Sequence, residues 1–427
     1  MSSWRTVFRN NLKQYMMLFS LLAIIIAFQL LTNGVLLKPM NVSNLIFQNA
    51  YVVILAVGML LCILTGGNID LSVGSVVALV GACAGTFIIS WGWNPNLSIL
   101  LCLLIGLAIG VWQGFWIAYV RIPAFIVTLS GMLVFRGLTL LVLKGLTLAP
   151  FPKEYLRYFT GYIPDLFPEA QLFGVKNTTS LLIGIVIAVI YIAIQIRSYV
   201  LRIKKQYNVD PIWVLIVKLA VIPQAIVWLF YILASYRGVP MVLILLGIIL
   251  IVYNFITSRT VIGRHLYALG GNEKAAKLSG VNTNRLLFLA YVNMGFLAAI
   301  AGIVFAARLN SASPQAGNGF ELDAIAACFI GGASASGGIG TVGGTLIGAM
   351  IMGVLNNGMS IMGISSNVQQ VVKGLVLLGA VAFDVVSKNR AGFESAFSFF
   401  KRWQRKRAQV PAKQQKPLDS SNSDLSI

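Results

Sequence analysis

The chain alternates long apolar segments with short polar ones, and no other feature constrains its fold as strongly. Apolar residues make up 58% of the 427 residues and charged residues 10%, whereas soluble domains average about 45–50% and about 25%. Many apolar segments approach the ~20 residues that a helix needs to cross a bilayer. Because backbone amides in hydrocarbon must bond within their own segment, helices are expected rather than open sheets. The sequence therefore predicts an all-α, polytopic membrane protein.

About twelve segments qualify as transmembrane helices, and two of them are short. The first begins near Tyr15; it is too long for the core of a signal peptide, and no small-residue cleavage site ends it. The predicted spans cover residues 15–37, 48–65, 72–90, 97–120, 124–144, 178–196, 212–235, 239–257, 286–308, 321–335, 343–357 and 368–386.

The distribution of Lys and Arg orients these spans. With both termini inside, inner segments hold about three times as many basic residues as outer ones, which is the bias that membrane proteins show. This orientation places residues 258–285 in the cytoplasm and the proline-rich loop 145–177 outside, where it offers a contact surface. The net charge of +20 then reflects short loops and tails that face anionic lipid, not a nucleic-acid site.

The chain divides into three predicted parts. Residues 1–14 form a cytoplasmic N-terminus, residues 15–387 the transmembrane domain and residues 388–427 a basic cytoplasmic tail with a disordered end. Phenylalanines at helical spacing in the tail fit an interfacial amphipathic helix, and a basic stop-transfer segment fits at least as well. Within the transmembrane domain, residues 197–240 add a basic hairpin and a span.

The cytoplasmic segment 258–285 contains a short helix whose two ends are marked in the sequence. Asn272 is a good N-cap, Glu273 suits the positive end of the helix dipole, and Lys277 lies one turn later for an i,i+4 pair. Gly280 fits the left-handed conformation that follows a last helical turn. Such a helix, held between two membrane spans, is suited to docking on a cytoplasmic partner. A solvated connecting loop explains the same pattern equally well.

Small residues flank and line this short helix. Gly270 and Gly271 precede it, and we expect them to act as a hinge. Ala275, Ala276 and Leu278 would supply its apolar contacts with a partner. The two alanines are small enough to let one backbone approach another closely.

Two glycine-rich stretches interrupt the apolar segments at matched places in the two halves of the chain, at residues 65–74 and 331–344. Broken helices in two related halves indicate a transport pathway, because nonhelical backbone at membrane depth must face protein or a water-filled cavity. Close helix packing through small residues, as in Gly344 and Gly348, is the favoured explanation for most of these glycines.

Acidic residues at membrane depth are functional candidates by default. Asp70 lies in the first break together with Asn68 and Ser72, where it could serve packing, a pathway or a gate. Asp323 lies with Glu321 near the outer end of a predicted span, and there a structural or interfacial role is favoured. The candidates for a translocation pathway or gate are therefore Asn68, Asp70, Ser72 and Asp323.

Several kinds of site are missing from the sequence. It has no G-x-x-x-x-G-K-[ST] nucleotide-binding loop, and His265 is its only histidine. The four cysteines lie in apolar segments without the spacing of metal ligands, and no paired carboxylates are placed for hydrolysis. We therefore expect no catalytic residues, no metal site and no cofactor bound by this chain. These cysteines are Cys62, Cys83, Cys102 and Cys328.

Five sequence blocks closely resemble one family of transport proteins. They are IDLSVGS at 69–75, PAFIVTLSGMLVFRG at 123–137, GRHLYALGGNEKAAKLSG at 263–280, ELDAIAACFIGGASASGGIGTVGG at 321–344 and NNGMSIMGI at 356–364. Together, and in order, they resemble the permease subunit of bacterial ABC-type monosaccharide importers, in the branch that handles xylose and related sugars. The blocks span nearly the whole transmembrane region, and the central and C-terminal ones are highly specific. The hairpin near residues 197–240 resembles the insert that distinguishes this branch from shorter ribose-type permeases.

The resemblance implies a vitamin-B12-importer-like (type II) ABC permease in the bacterial inner membrane. It implies a homodimer with the pathway between subunits, a periplasmic sugar-binding protein outside and an ABC ATPase subunit inside that binds ATP-Mg. By position, the central block matches the loop that carries the coupling helix, which favours the docking explanation. The residues matched to ATPase coupling are Gly263, Arg264, Gly270, Gly271, Asn272, Glu273, Ala275, Ala276, Leu278 and Gly280.

The function implied is passage of a monosaccharide of the xylose, arabinose, glucose or galactose type from the binding protein to the cytoplasm. The sequence does not single out one sugar. An ion-coupled secondary sugar transporter is the alternative. It would need a titratable relay within the membrane, for which Asp70 is a weak candidate.

Overall fold

Helices account for almost all regular structure in this computed structural model, which describes residues 4–169, 174–207 and 211–388. The first eight helices within these residues are α1 (Trp4–Leu31), α2 (Pro39–Leu64), α3 (Val73–Gly85), α4 (Pro95–Ala118), α5 (Ala124–Leu143), α6 (Lys153–Thr160), α7 (Thr178–Lys204) and α8 (Ile212–Ala234). The remaining seven are α9 (Met241–Arg259), α10 (Val261–Gly271), α11 (Glu273–Leu278), α12 (Thr283–Leu309), α13 (Phe320–Ile330), α14 (Val342–Ile361) and α15 (Ser366–Lys388).

Each of the twelve predicted spans coincides with a helix. Among the described residues, ten helices are long and apolar enough to cross a membrane, and α1 adds a further apolar stretch, Met16–Leu31. One of the ten is α3, counted together with a π-helical turn, Thr86–Ser90, that continues it. The span predicted at 321–335 corresponds to α13. With 11 residues, α13 is about 16 Å long, roughly half the hydrocarbon thickness.

The second span predicted to be short is a full helix. The sequence suggested residues 343–357, but α14 has 20 residues, because the helix continues through Asn356 and Asn357 to Ile361. Asn357 remains within the helix since its side chain finds a partner, donating to Gln48 of α2 at 2.9 Å.

Helices α2 and α12 form the centre of the packing. In the most apolar 18-residue stretch of α2, 83% of the residues are buried. Helix α12 packs on α2, α3 and α4. Close approach of α4 and α12 depends on small residues, because a side chain on Gly110 or Gly295 would collide with the backbone of the facing helix. At these two positions, small residues let the helices approach closely.

Helices α7 and α8 form a peripheral pair. α7 packs mainly on α8, where Gly184 accommodates the ring of Phe230. In the most apolar 18-residue stretch of each helix, only 28% of the residues are buried in α7 and 11% in α8. Residues 205–211 connect the two helices, and residues 208–210 of this connection are not described. This pair includes most of the hairpin predicted at 197–240, and most of its apolar surface is not covered by the rest of the described chain.

The loop 145–177, described except for residues 170–173, is folded onto the helices. Its helix α6 buries Tyr155, whose hydroxyl donates to the carbonyl oxygen of Ile303 at 2.8 Å. Asp165 accepts hydrogen bonds from the backbone amides of Thr178 and Thr179, both at 3.1 Å, and so satisfies the start of α7.

Residues 1–381 belong to one compact unit. The second unit, residues 382–427, is described only for the last residues of α15. Almost all of the predicted tail, residues 388–427, and its phenylalanine pattern therefore lie outside the described residues.

Candidate functional site

The short helix α11 has the capped ends that the sequence predicts. Asn272 is its N-cap, and the side-chain Oδ1 accepts a hydrogen bond from the backbone amide of Ala275 at 3.0 Å. Gly280 adopts a φ of +83°, and its amide donates to the carbonyl oxygen of Lys277 at 3.1 Å. Local hydrogen bonds thus close both ends of the six-residue helix α11.

The exposed side of α11 differs from the one predicted. Ala276 is only 5% exposed and lies on the side that packs on α10 and α12, so the expectation that it contacts a partner is wrong. Leu278, by contrast, is 90% exposed, and Ala275 is also exposed. A six-residue helix has one side against its own chain, and the sequence does not reveal which side that is.

Glu273 bonds to another part of the chain and not to Lys277. Its Oε1 lies 2.8 Å from a guanidinium nitrogen of Arg121, which follows α4. The second nitrogen of Arg121 donates to the side-chain oxygen of Asn284, in the first turn of α12. The predicted i,i+4 pair is replaced because Arg121 reaches both acceptors at once. This arrangement ties α11 to α12 and to the turn between α4 and α5.

Gly263 permits the sharp turn between α9 and α10. A side chain there would collide with the carbonyl oxygens of Ile256 and Thr257. Its amide donates to the hydroxyl oxygen of Thr260 at 3.2 Å, which caps α10. Arg264, the next predicted coupling residue, is exposed on the first turn of α10.

Gly270 and Gly271, which were expected to act as a hinge, belong to a helix. They are the last two residues of α10, and the helix continues through both. A side chain on Gly270 would collide with the carbonyl oxygen of Leu64 and the amide of Gly338, whereas Gly271 has open space around it. Gly270 is therefore required for close contact between backbones.

This contact brings three segments together in what we call the glycine junction: the end of α10, the loop 65–72 and the loop 331–341. A side chain on Gly337 would collide with backbone of the first loop. The hydroxyl of Tyr267 donates to the carbonyl oxygen of Gly340 at 2.8 Å. The second predicted break thus contacts the helix that precedes α11, and the first break contacts the second.

Asp70 lies in a small buried network at the start of α3. The residue is 1% exposed, and its Oδ1 accepts from the amide of Ser72 at 2.8 Å and from the Ser72 hydroxyl at 2.6 Å. Gln113 of α4 donates to the Ser72 hydroxyl oxygen at 2.5 Å. Asn68 is not a member of this network, since it donates to the hydroxyl oxygen of Thr65 at 3.1 Å. Asp70 and Ser72 therefore belong together, and Asn68 is separate.

Asp323 is buried at the start of α13. Its carboxylate accepts a hydrogen bond from the hydroxyl of Tyr51 in α2 at 2.9 Å. The ammonium group of Lys373 in α15 lies 3.0 Å from both of its oxygens. Of the two roles expected for Asp323, structural or interfacial, these contacts support the structural one. Asp323 thus connects α2, α13 and α15.

Arg136 of α5 fixes the loop that leads into α13. One of its guanidinium nitrogens donates to the carbonyl oxygens of Pro314 and Ala316, at 2.9 and 2.7 Å. The next residue, Gly317, lies in direct backbone contact with Gly74 at the start of α3. The two short or broken helices, α3 and α13, therefore meet at their first residues.

Four residues of this site were not predicted from the sequence. Arg136 and Lys373 carry a usable signal, since each is a charge within a predicted span. Tyr51 and Gln113 give none, because a tyrosine or glutamine in an apolar segment is common and only the fold identifies its partner.

The described residues hold no group of three His, Cys, Asp or Glu side chains that could bind a metal ion. Their four cysteines are free thiols. These groups position parts of the chain relative to one another. Buried carboxylates, a guanidinium and an ammonium fix the starts of α3 and α13. The glycine junction connects the two loops to α10.

Comparison with known proteins places the chain in a family. A family model described as "Branched-chain amino acid transport system / permease component" matches residues 41–381, which run from the first turn of α2 into α15. The chain belongs to this permease family. The match includes the glycine junction, α11 and both buried carboxylates.

Two kinds of curated relative are similar to the permease over most of its length. It is 38% identical to the xylose transport system permease protein XylH of Escherichia coli (strain K12) over 381 residues, 89% of this chain and 94% of that protein. It is 39% identical to the XylH protein of Haemophilus influenzae over 380 residues, 89% of this chain and 98% of that protein. The ribose import permease protein RbsC of Escherichia coli (strain K12) is 37% identical over 344 residues, 81% of this chain and 85% of that protein. No solved structure matches the permease.

Proposed function

We propose that the permease is the membrane subunit of an ATP-driven importer that passes a monosaccharide into the bacterial cytoplasm. The observation that carries this proposal is its 37–39% identity, over most of the chain, to permeases named for xylose and ribose. The family description names amino acids, but these relatives are named for sugars. The proposed substrates are accordingly xylose, arabinose, glucose or galactose.

The structure supports a transport role through its short and broken helices. α13 is too short to span a bilayer, and its start meets the start of α3 through Gly317 and Gly74. Nonhelical backbone is tolerated at membrane depth only against protein or a water-filled path. The pathway is proposed to form between two copies of the chain, with Asp70, Ser72 and Asp323 fixing the segments beside it.

The proposed partners bind at opposite ends of the helices. An ABC ATPase subunit, which binds ATP-Mg, docks on α11, where the exposed side chain of Leu278 supplies an apolar contact. A periplasmic sugar-binding protein docks around α6 and the loop that follows it, where Tyr158 and Phe167 are about half exposed. Both termini then lie in the cytoplasm, and the protein resides in the inner membrane.

The transport proposal is tested in proteoliposomes that contain the permease with the ATPase and binding protein expressed from neighbouring genes. Uptake of labelled xylose, ribose, arabinose, glucose and galactose is measured with and without internal ATP. We expect ATP-dependent uptake of at least one sugar that an ionophore does not abolish. Uptake that needs an ion gradient and proceeds without ATP would establish the secondary transporter instead.

The docking proposal is tested by Leu278→Gln, which replaces an exposed apolar side chain with a polar one. We expect the variant to reach the membrane at normal levels and to copurify with less of the ATPase. Leu166→Gln is the matched control, because Leu166 is 69% exposed on the loop after α6. Equal ATPase recovery with both variants would show that α11 is only a connector.

A further inference from the structure

A groove enriched in basic residues lies at the ends of α7 and α9. It encloses a volume of about 650 Å³. Its charged lining consists of Arg197 and Arg202 on α7, Lys205 just after α7, and Arg259, the last residue of α9. No carboxylate is among its lining residues. The groove therefore brings several positive charges from two helices into one concave surface.

These cations have no partner within the protein as described. In residues 4–169, 174–207 and 211–388, the side chains of Arg197, Arg202, Lys205 and Arg259 form no hydrogen bond or ion pair with another residue. Like charges held at close range repel one another, and the repulsion grows as the surrounding dielectric constant falls. An anion in the groove would remove this repulsion and satisfy several donors at once.

The uncharged lining contains two apolar residues beside Ser198 and Tyr207, and the neighbouring surface is apolar. Ile194 and Leu201 line the groove and are 60% and 44% exposed. On the same helix, Val200 and Ile203 are also exposed, and α8 is the least buried helix of this pair. A ligand that fits the groove must combine a negative group with long apolar chains that lie along α7 and α8.

We propose that this groove binds the headgroup of an anionic phospholipid, with its phosphate at Arg197, Arg202 and Lys205 and its acyl chains along α7 and α8. Basic pockets between membrane helices on the cytoplasmic side are suited to such headgroups. The groove lies beside Thr260, where α10 begins, so the bound lipid stabilises the base of the segment that carries α11. The site does not depend on the proposed transport activity, but its cytoplasmic location rests on the proposed orientation.

Native mass spectrometry of the full chain in detergent tests the proposal directly. The permease is mixed with phosphatidylglycerol, cardiolipin or zwitterionic phosphatidylethanolamine, and the bound fraction is measured for each. We expect the two anionic lipids to remain bound and phosphatidylethanolamine to be lost. The variant Arg197→Gln/Arg202→Gln/Lys205→Gln should bind the anionic lipids at least tenfold more weakly, since each cation near a membrane surface contributes about fivefold to affinity.

The matched control removes three cations at the other end of the helices, Lys144→Gln/Lys153→Gln/Arg157→Gln, and should retain the lipid. Equal retention by both triple variants would overturn the proposal. The single variant Arg259→Gln, expected to bind about fivefold more weakly, provides a second test if the triple variant is recovered poorly.

Two further arms separate other occupants from a lipid. Inorganic phosphate alone, at the lipid concentration, should neither bind nor displace the lipid; displacement would identify a site for a free anion. If the groove variant keeps its lipid but no longer copurifies with the ATPase, the groove is a protein contact and the lipid proposal is wrong.

Discussion

Asp70 and Asp323 both place a carboxylate within the helix packing, and each is compensated in a different way. Asp70 accepts two hydrogen bonds from Ser72 at the start of α3, where the helix dipole also favours negative charge. Asp323 is paired with Lys373 and bonded by Tyr51. Removing one member of a buried pair leaves the other uncompensated, which usually costs more free energy than the pair contributes.

Asp70→Asn tests whether the charge at this position is needed for transport. Asparagine retains an acceptor for the two donors of Ser72, so we expect only about 1 kcal/mol of lost stability, the difference between a charged and a neutral acceptor. Uptake in proteoliposomes should nevertheless fall severalfold. The control is the level of folded permease in the membrane, which should not change. Unaltered uptake would show that Asp70 serves only to cap α3.

Asp165 provides a pH-dependent test of the loop after α6. Desolvation opposes its ionisation, but hydrogen bonds from Thr179, Phe167 and Thr178 outweigh it and lower the pKa of Asp165 to about 2. An aspartate in an unfolded chain has a pKa of about 3.9. The carboxylate therefore stabilises the fold above about pH 4, and this contribution is lost as the pH falls toward 2.

We expect Asp165→Asn to lower the Tm in detergent by a few degrees at pH 7, and the difference from the unaltered protein to shrink between about pH 4 and pH 2. Glu154→Gln is the control. The side chain of Glu154 makes no hydrogen bond or ion pair within the described residues, so it should leave the Tm unchanged. A Tm difference for Asp165→Asn that is constant over this pH range would contradict the assignment.

At the scale of the elements, α11 is held at three places. Asn272 caps its start, Ala276 packs against α10 and α12, and Glu273 is bonded to Arg121. The ion pair is half exposed, and such pairs contribute only about 0.2–1 kcal/mol to stability. The ion pair therefore matters for position more than for stability, because it links α11 to the turn that begins α5.

Reversing this ion pair tests whether α11 acts on α5. We expect Glu273→Arg to leave assembly with the ATPase intact and to reduce the stimulation of ATP hydrolysis by sugar-loaded binding protein about two- to fivefold, the effect of ~0.4–1 kcal/mol. The exchanged pair Arg121→Glu/Glu273→Arg should recover most of the stimulation. Lys277→Glu is the control, since Lys277 takes no part in the pair. No recovery in the exchanged pair would exclude a direct role for the ion pair.

For the whole molecule, the proposed orientation makes opposite ends of the helices accessible from opposite sides of the membrane. Single cysteines at Ser279 and Thr160, in a background without other cysteines, should be labelled by a membrane-impermeant maleimide from the cytoplasm and from the periplasm, respectively. Ser279 directly follows α11, and Thr160 ends α6. Labelling of both from the periplasm would show that the orientation is wrong.

Most of the helices could be predicted from the sequence because hydropathy and length determine them locally. Helix α13 could not be predicted accurately. Its apolar residues continue into a glycine-rich loop, so hydropathy suggested a span at 321–335, while the helix ends at Ile330. The ending depends on Gly331, which packs directly on Gly344 of α14. Such contacts are set by tertiary packing.

The candidate site was predictable only where one residue type has one local consequence. Asn272 and Gly280 cap α11 as their chemistry requires. The partner of Glu273 could not be inferred, because Arg121 is 152 residues away in the sequence. For the same reason the partners of Asp323 could not be inferred, since Lys373 and Tyr51 come from distant helices.

The glycine junction bears on how motion passes through the molecule. At Gly270, Leu64 and Gly338, main chain lies directly on main chain, with no rotamers between to change and absorb a displacement. Protein interiors packed this closely are hardly compressible. A shift of α10 by an ångström would therefore be transmitted almost unchanged to the two loops of the junction, and through them to α3 and α13. An alanine at Gly270 would force the packed backbones apart. It would therefore alter the positions of both loops even before any partner is bound.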